Sequence, residues 1–191
     1  MKKFVLSQAA VVFTFVISIA AILIPRTAHA ASAGYGGFLV GLSAIKLDTS
    51  TDGPTLGNND TSTSIFDVKA GYIFSNSIYV GAIYNGRTDT TNGSNQERTG
   101  YGASIGYHNS GWFLDGSYFI SSTIKMAGGT ELTGGSGFGV DLGHNFDLTT
   151  NVYLGLQVSY KSFSYTKAGS VDATNKIKSE LMPMLNVGVM F

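Results

Sequence analysis

The chain of 191 residues contains no cysteine, which excludes disulfide bonds, lipid-modified cysteines and thiolate metal sites. Charged residues make up only 13% of the chain, about half the share found in an ordinary soluble domain. The 12 lysines and arginines equal the 12 acidic residues in number. Because nucleic-acid-binding proteins carry a basic excess, we expect no nucleic-acid partner.

The first thirty residues differ from the rest. Lys2 and Lys3 precede an apolar run over residues 9–24, and Ala28-His29-Ala30 has the small-x-small pattern of a cleavage site. We predict a signal peptide over residues 1–30 and one mature domain over residues 31–191; the alternative is an uncleaved membrane anchor. Removing Lys2, Lys3 and Arg26 would leave nine basic residues against 12 acidic ones.

Apolar and polar residues alternate with a period of two through the remaining sequence, which is typical of half-buried strands. The pattern predicts eight segments, at residues 37–47, 64–74, 78–87, 98–108, 112–124, 136–146, 152–165 and 180–191. Each is about as long as the ~9–11-residue tilted strand that crosses a bilayer.

The predicted connections alternate in length. Residues 75–77, 109–111 and 147–151 form short turns, whereas residues 48–63, 88–97, 125–135 and 166–177 form four long polar loops. Short turns on one side and long loops on the other are typical of outer-membrane barrels, whose long loops face outside the cell. We therefore predict an all-β fold, an eight-stranded antiparallel up-and-down transmembrane β-barrel.

The two faces of the segments indicate which one meets lipid. An eight-stranded barrel has an interior just wide enough for side chains, and the polar face carries the glycines, which crowd such an interior least. A soluble barrel with the faces reversed is the alternative. Aromatic residues of the apolar face predict two girdles, one toward each rim: Phe74, Tyr107, Trp112, Phe146 and Phe191 toward the short turns, and Phe66, Tyr84, Tyr101, Tyr118, Phe138 and Tyr160 toward the long loops.

The last segment, Leu185-Asn186-Val187-Gly188-Val189-Met190-Phe191, looks like the C-terminal signal of bacterial outer-membrane proteins. In that family a final Phe preceded by alternate apolar residues, here Leu185, Val187 and Val189, is read by the barrel-assembly machinery. With its leader and strands, the chain resembles small porin-like barrels of the OmpA, OmpX and OmpW type. The resemblance implies the outer membrane of a Gram-negative bacterium, reached by a Sec-type signal peptide. Pro183 departs from the strand pattern, and we expect a bulge or a rim position there.

Polar and charged residues on the inward face predict a network inside the barrel, with Lys69 between acids and Arg87 near Asp67. Its structural interpretation is a plug that stiffens the barrel; its functional interpretation is a narrow polar path or gate for small solutes. Buried charges are costly unless they are paired, so both interpretations require ion pairs. The members are Asp67, Lys69, Asn85, Arg87, Asp115, Asp141, Gln157, Lys161, Glu180 and Asn186.

Neither catalysis nor a metal site is predicted. His108 and Ser110 lie close in sequence, but a nucleophilic serine also needs a third group to orient its base, and the sequence shows no carboxylate placed for that. A lipid-modifying enzyme is therefore the most distant alternative. No metal-ligand spacing or cofactor motif is present. We expect membrane lipid and lipopolysaccharide as partners, with an unidentified extracellular ligand at the loops as a further one.

Overall fold

A computed structural model describes residues 36–51 and 59–191 of the chain. The predicted signal peptide and residues 52–58 of the first predicted loop lie outside the described residues. No helix within the described residues is long and apolar enough to cross a membrane.

Eight strands follow one another along the chain and close into a barrel in sequence order, each antiparallel to its neighbours. The prediction of an eight-stranded up-and-down barrel is confirmed. The strands are β1 (Gly37–Thr51), β2 (Asn59–Ile73), β3 (Ile78–Thr91), β4 (Ser94–Asn109), β5 (Trp112–Lys125), β6 (Glu131–Asp147), β7 (Val152–Ala168) and β8 (Val171–Met190).

The prediction of long loops was wrong for three of the four stretches. Residues 88–97 belong to β3 and β4 except for the two-residue turn Asn92-Gly93, and most of residues 125–135 and 166–177 also lie in strands. Polar residues occupy both faces of the strands in these stretches, so the apolar alternation that indicates a strand is absent there. The threonines of these stretches nevertheless favour extended backbone, and the ladders continue through them.

Tight turns close the hairpins at both ends of the barrel. Asn92 and Gly93 have φ of 49° and 80°, and Ser110 and Gly111 have φ of 50° and 84°. Two consecutive residues with positive φ match the right-handed twist of a two-residue hairpin. Asn92 and Gly93 therefore form a two-residue hairpin turn within the stretch that was predicted as a long loop.

Inward glycines make room for inward aromatic rings. A Cβ placed on Gly71 would lie 2.6 Å from Cε2 of Tyr79, and one placed on Gly41 would lie 2.6 Å from the Tyr153 hydroxyl. A Cβ on Gly137 would lie 2.6 Å from Cδ1 of Phe163. The narrow interior thus accommodates these large rings where another strand presents a glycine, and so no side chain, beside them.

Candidate functional site

The middle of the barrel interior holds a buried lysine between two carboxylates. Asp115 on β5 directly faces Asp141 on β6 in the ladder, an arrangement that is unfavourable for two like charges. Lys69 Nζ lies 2.5 Å from Asp115 Oδ2 and 2.9 Å from Asp141 Oδ2. The lysine therefore links three strands and relieves the repulsion between the two acids.

Asp115 also contacts His108. Nε2 of the histidine lies 2.8 Å from Asp115 Oδ1, and its ring packs beside Tyr79 and Phe113, with centroids 5.1 Å and 5.5 Å away. The expectation that no carboxylate lies beside His108 was wrong, because the ladder brings β5 back alongside it. The Ser110 hydroxyl, however, donates to Asn109 Oδ1 at 3.2 Å. The described contacts therefore contain a His–Asp pair without a serine nucleophile.

A second ion pair lies one layer closer to the loop end. Lys161 Nζ donates to Asp67 Oδ2 and to Ser159 Oγ, both at 2.7 Å, and Asn85 Nδ2 donates to Asp67 Oδ1 at 2.8 Å. The prediction that Arg87 would lie near Asp67 was wrong. Asn85 is the direct ladder partner of Asp67, whereas Arg87 faces Ile65 one layer further out, so a lysine from the far wall pairs with Asp67 instead.

Gln157 and Asn186 lie at the level of the Lys69 cluster. Ser43 Oγ donates to Gln157 Oε1 at 2.9 Å. Both amides line a cavity of about 20 Å³ that also borders Lys69 and Asp115. This volume holds about one water molecule, so the middle of the barrel contains side chains rather than an open passage.

Apolar residues close the interior on both sides of these charges. Toward the short turns lies a cluster of Leu39, Ile73, Tyr79, Tyr153 and Met190. Toward the loop end lies a second cluster, made of Ile83, Phe119, Ile124, Leu132, Phe163 and Tyr165. Period-two parity placed several of these rings on the inner face, but only the register shows that they stack into two closing layers.

A third ionic group lies at the loop end of the interior. Arg98 donates two hydrogen bonds to Glu180, at 3.1 and 2.9 Å, and its guanidinium carbon lies 4.4 Å from the ring centre of Phe163. Arg87 Nη1 lies 2.5 Å from Glu180 Oε1, and Arg87 also binds Asp89. Sequence reasoning assigned Asp89 to a loop and placed Arg98 at the edge of the fourth segment, so it left both out of the network; extending the strand parity past residues 87 and 98 would have found them.

The charge on Asp89 depends on this group. Partial burial alone would raise the pKa of Asp89, but the hydrogen bonds from Arg87 and from Thr63 outweigh burial, so the pKa lies below its ordinary value of 3.8. The carboxylate is therefore ionised through the neutral range and holds the Arg87 side chain at the mouth of the barrel.

The outer wall carries the predicted aromatic residues. Those with the greatest exposure include Trp112, Tyr118 and Tyr101. On the short-turn side Trp112 packs edge-on against His144 and Phe38 stacks with Phe191. On the loop side Phe66 lies beside Tyr84, and Phe138 beside Tyr160. On the loop side Tyr84 faces Tyr101, and Tyr118 faces Phe138, in the ladders; the two complete girdles stay a prediction.

No group of three or more His, Cys, Asp or Glu side chains in the described ranges could hold a metal ion. The polar side chains that meet inside the barrel are instead paired with one another across strands. These pairs neutralise the buried charges and connect the strands of a closed barrel.

Comparisons with known proteins found a similar solved structure but no family. No protein-family model matches it, and no curated protein matches it either. Among solved structures, one described as the crystal structure of Neisserial surface protein A (NspA) is similar, with 18% sequence identity and a TM-score of 0.47. The similarity covers 82% of this chain and 97% of that chain.

Proposed function

We propose that this protein is a bacterial outer-membrane barrel with a closed, side-chain-filled interior, and that it acts as a structural or surface-interaction protein through the hairpins at its loop end. The carrying observation is the distribution of side chains over the barrel: buried charges lie inside it, and many large apolar side chains on its outer wall are exposed. That distribution suits lipid rather than water around the wall.

The outer wall supports insertion into a membrane. Between the two aromatic bands the outward residues are mostly aliphatic, such as Ile105, Leu114, Ile120, Leu142 and Leu156, and each is at least half exposed. Soluble monomers rarely expose apolar patches larger than a few hundred Å², whereas an apolar band flanked by aromatic girdles is the outer surface of a transmembrane barrel.

The interior supports a plug rather than a pore. Buried ion pairs cross the barrel at two levels, and apolar layers close it above and below them. The two interior cavities that border His108 have volumes of only about 20 and 40 Å³. A narrow channel is the alternative, and it would require these layers to move.

The proposed partners follow from this location. Membrane lipid and lipopolysaccharide would surround the wall, and an extracellular ligand would meet the exposed hairpins. No enzymatic activity is proposed, because the His108–Asp115 pair lies inside the barrel without a nucleophile in contact. Reading of Leu185, Val187, Val189 and Phe191 by the assembly machinery remains a prediction.

The absence of cysteine makes location testable by single-cysteine labelling. Gly128 lies in the exposed β5–β6 hairpin, with open space around it, and Asn76 is exposed in a short turn. On intact cells a membrane-impermeant maleimide should label Gly128→Cys, and label Asn76→Cys only after lysis. Equal labelling of both, or the reverse pattern, would contradict the proposed orientation.

Planar-bilayer recording separates the plug from the channel. Refolded wild-type protein, shown to be folded by its heat-dependent gel mobility, should give no steady single-channel steps. Reproducible steps whose size changes in Lys69→Gln would overturn the plug and establish the channel. Identical mobility of boiled and unboiled samples would instead challenge the barrel itself.

A further inference from the structure

The outer wall is indented around the seam between β1 and β8. A cavity of about 860 Å³ opens on the outside of the barrel, bordered by apolar side chains of β6, β7 and β8 and by β1 and β2. The wall of a small closed barrel is convex, so an outside cavity of this size requires a local depression.

The seam itself explains the depression. Within the described residues β1 and β8 pair over six positions, from Leu39↔Met190 to Ala44↔Leu185, whereas β1 pairs with β2 over its whole length. If this register continued, Ile45 would face Met184 and Lys46 would face Pro183. The wall is therefore least tied together where the cavity lies.

Pro183 accounts for the end of the ladder. Phe191 exchanges two backbone hydrogen bonds with Phe38 on β1, and in an antiparallel ladder such bonds recur at every second residue. Residues 189, 187, 185 and 183 therefore turn their backbone amides toward β1. Proline has no N–H to donate, so the ladder ends before it; the expectation of a bulge was wrong, since Pro183 faces Val158 on β7 in regular register.

A single row of outward side chains borders the indentation. It runs across neighbouring strands from Trp112 through His144, Leu156, Leu185 and Ala44 to Phe66, each the ladder partner of the next. Trp112 belongs to the short-turn girdle and Phe66 to the loop-side girdle, so the cavity extends between the two aromatic bands. Ala44 and Ser64, whose side chains are small, border the cavity on β1 and β2.

One cation stands at the loop-side end of the indentation. Lys46 borders the cavity, and its side chain is 63% exposed, with Asp48 Oδ2 at 3.1 Å. An exposed pair of this kind contributes at most about 1 kcal/mol, so the ammonium group is available to another anion. At the level of Phe66 this ammonium would lie where lipid headgroups begin.

We propose that the indentation, which we name the seam groove, binds one phospholipid, with an acyl chain against Ala44, Leu156 and Leu185 and its phosphate at Lys46. The inference rests on the proposed membrane location. An apolar floor with a cation at the headgroup end complements an anionic lipid. A second copy of the chain would instead present an apolar wall and leave Lys46 without an anion.

The only tryptophan of the chain, Trp112, borders the groove and reports on its occupancy. Protein refolded in detergent would be titrated with a phospholipid brominated near the end of one acyl chain, with tryptophan fluorescence as the signal. Quenching should saturate near one lipid per barrel. Quenching that rises with the lipid-to-detergent ratio without saturation would overturn the inference.

Two substitutions test the two ends of the site. Ala44→Phe should fill the groove and weaken binding at least about tenfold, because excluding two methylene groups already has that effect. Ala103→Phe, the same change on an exposed outward alanine of β4, should bind like wild type. Lys46→Gln should weaken binding about fivefold, and should leave binding of a brominated diacylglycerol, which lacks the phosphate, unchanged.

The remaining outcomes distinguish a failure of the seam groove from a failure of the proposed function. Equal saturation in Ala44→Phe and wild type, with both folded by gel mobility, would overturn the seam groove while leaving the membrane location intact. A wild-type dimer that Ala44→Phe converts to a monomer would assign the groove to a second copy and also overturn it. Failure of the single-cysteine labelling would overturn the proposed function independently of any lipid titration.

Discussion

Two ionic groups of the same barrel differ in burial and in charge balance. In the middle of the interior, Lys69 lies between Asp115 and Asp141, and its side chain and those of both acids are less than a tenth exposed. At the loop end, Arg87 and Arg98 meet Asp89 and Glu180, and all but Arg98 are partly exposed. In the middle one cation faces two acids, whereas at the mouth two cations face two acids.

The difference indicates where a charge decides stability. A buried charge whose partner is removed has neither water nor a counter-ion, so breaking such a pair costs far more than the pair itself contributes. At the mouth, water and a second partner replace a lost contact. We therefore expect effects that decrease from the middle of the barrel to its loop end.

The largest effect is expected for Lys69→Met. It leaves two facing carboxylates without their cation, and should lower the free energy of unfolding by about 3–5 kcal/mol or prevent folding. Urea titration of protein refolded into vesicles measures this. Adding Asp115→Asn and Asp141→Asn to Lys69→Met should restore much of the loss, and the exposed hairpin change Lys125→Met should have almost no effect; equal losses in both lysine variants would contradict the comparison.

The next effect concerns the packing between the ionic groups and the short turns. Gly71→Ala places a methyl group against Tyr79 and the β3 backbone, so overpacking should lower the free energy of unfolding by about 1–3 kcal/mol. Gly116→Ala is the matched control, since its new Cβ would meet only an ordinary contact at 3.8 Å. A similar result for both alanines would mean that the interior yields easily around Tyr79.

A smaller effect is expected at the mouth. Arg98→Gln removes two charged hydrogen bonds to Glu180, but Glu180 retains Arg87. The same urea titration should show a loss of about 1.5 kcal/mol, well below that of Lys69→Met. A loss as large as that of Lys69→Met would show that the mouth is as isolated from water as the middle.

The smallest effect is a pH dependence carried by Asp89. Its pKa is lowered in the folded protein, so its stabilisation is complete above the ordinary value of 3.8 and disappears as the pH falls through the folded value. Because a quarter of the Asp89 side chain is exposed, the contribution should stay below about 1 kcal/mol. The stability difference between wild type and Asp89→Asn should shrink from about pH 6 to pH 3; a constant difference would exclude Asp89 as the source.

Strand parity allowed the barrel and most of its inward polar residues to be predicted, because the side-chain period of two is a local property. The juxtaposition of Lys69 with Asp115 and Asp141 followed from counting along neighbouring strands. Arg87 was paired wrongly because Asp67, the inward acid on the neighbouring strand, is satisfied by Lys161 from the far wall. Contacts across an interior depend on the curvature and closure of the barrel, which no single strand encodes.

The loop end was predicted least well for a different reason. Asp89 and Arg98 lie where polar residues occupy both faces, so hydropathy carries no information about the strand. The shortened seam depends on which edge of β8 the missing amide of Pro183 faces. The sequence does not reveal that edge. The backbone hydrogen bonds between Phe191 and Phe38 reveal it, because they show that the odd-numbered residues at the end of β8 turn their amides toward β1.

The fit of rings against glycines also selects one alignment of the strands from several that alternation alone would permit. A slip of two residues keeps every side chain on its own face, so hydrophobic pattern does not oppose it. Gly71 faces Gly81 beside the ring of Tyr79, and a two-residue slip would place Lys69 or Ile73 opposite Gly81 instead. The interior of this barrel therefore works as a proofreading surface for strand alignment, because misaligned hairpins do not fit it by size.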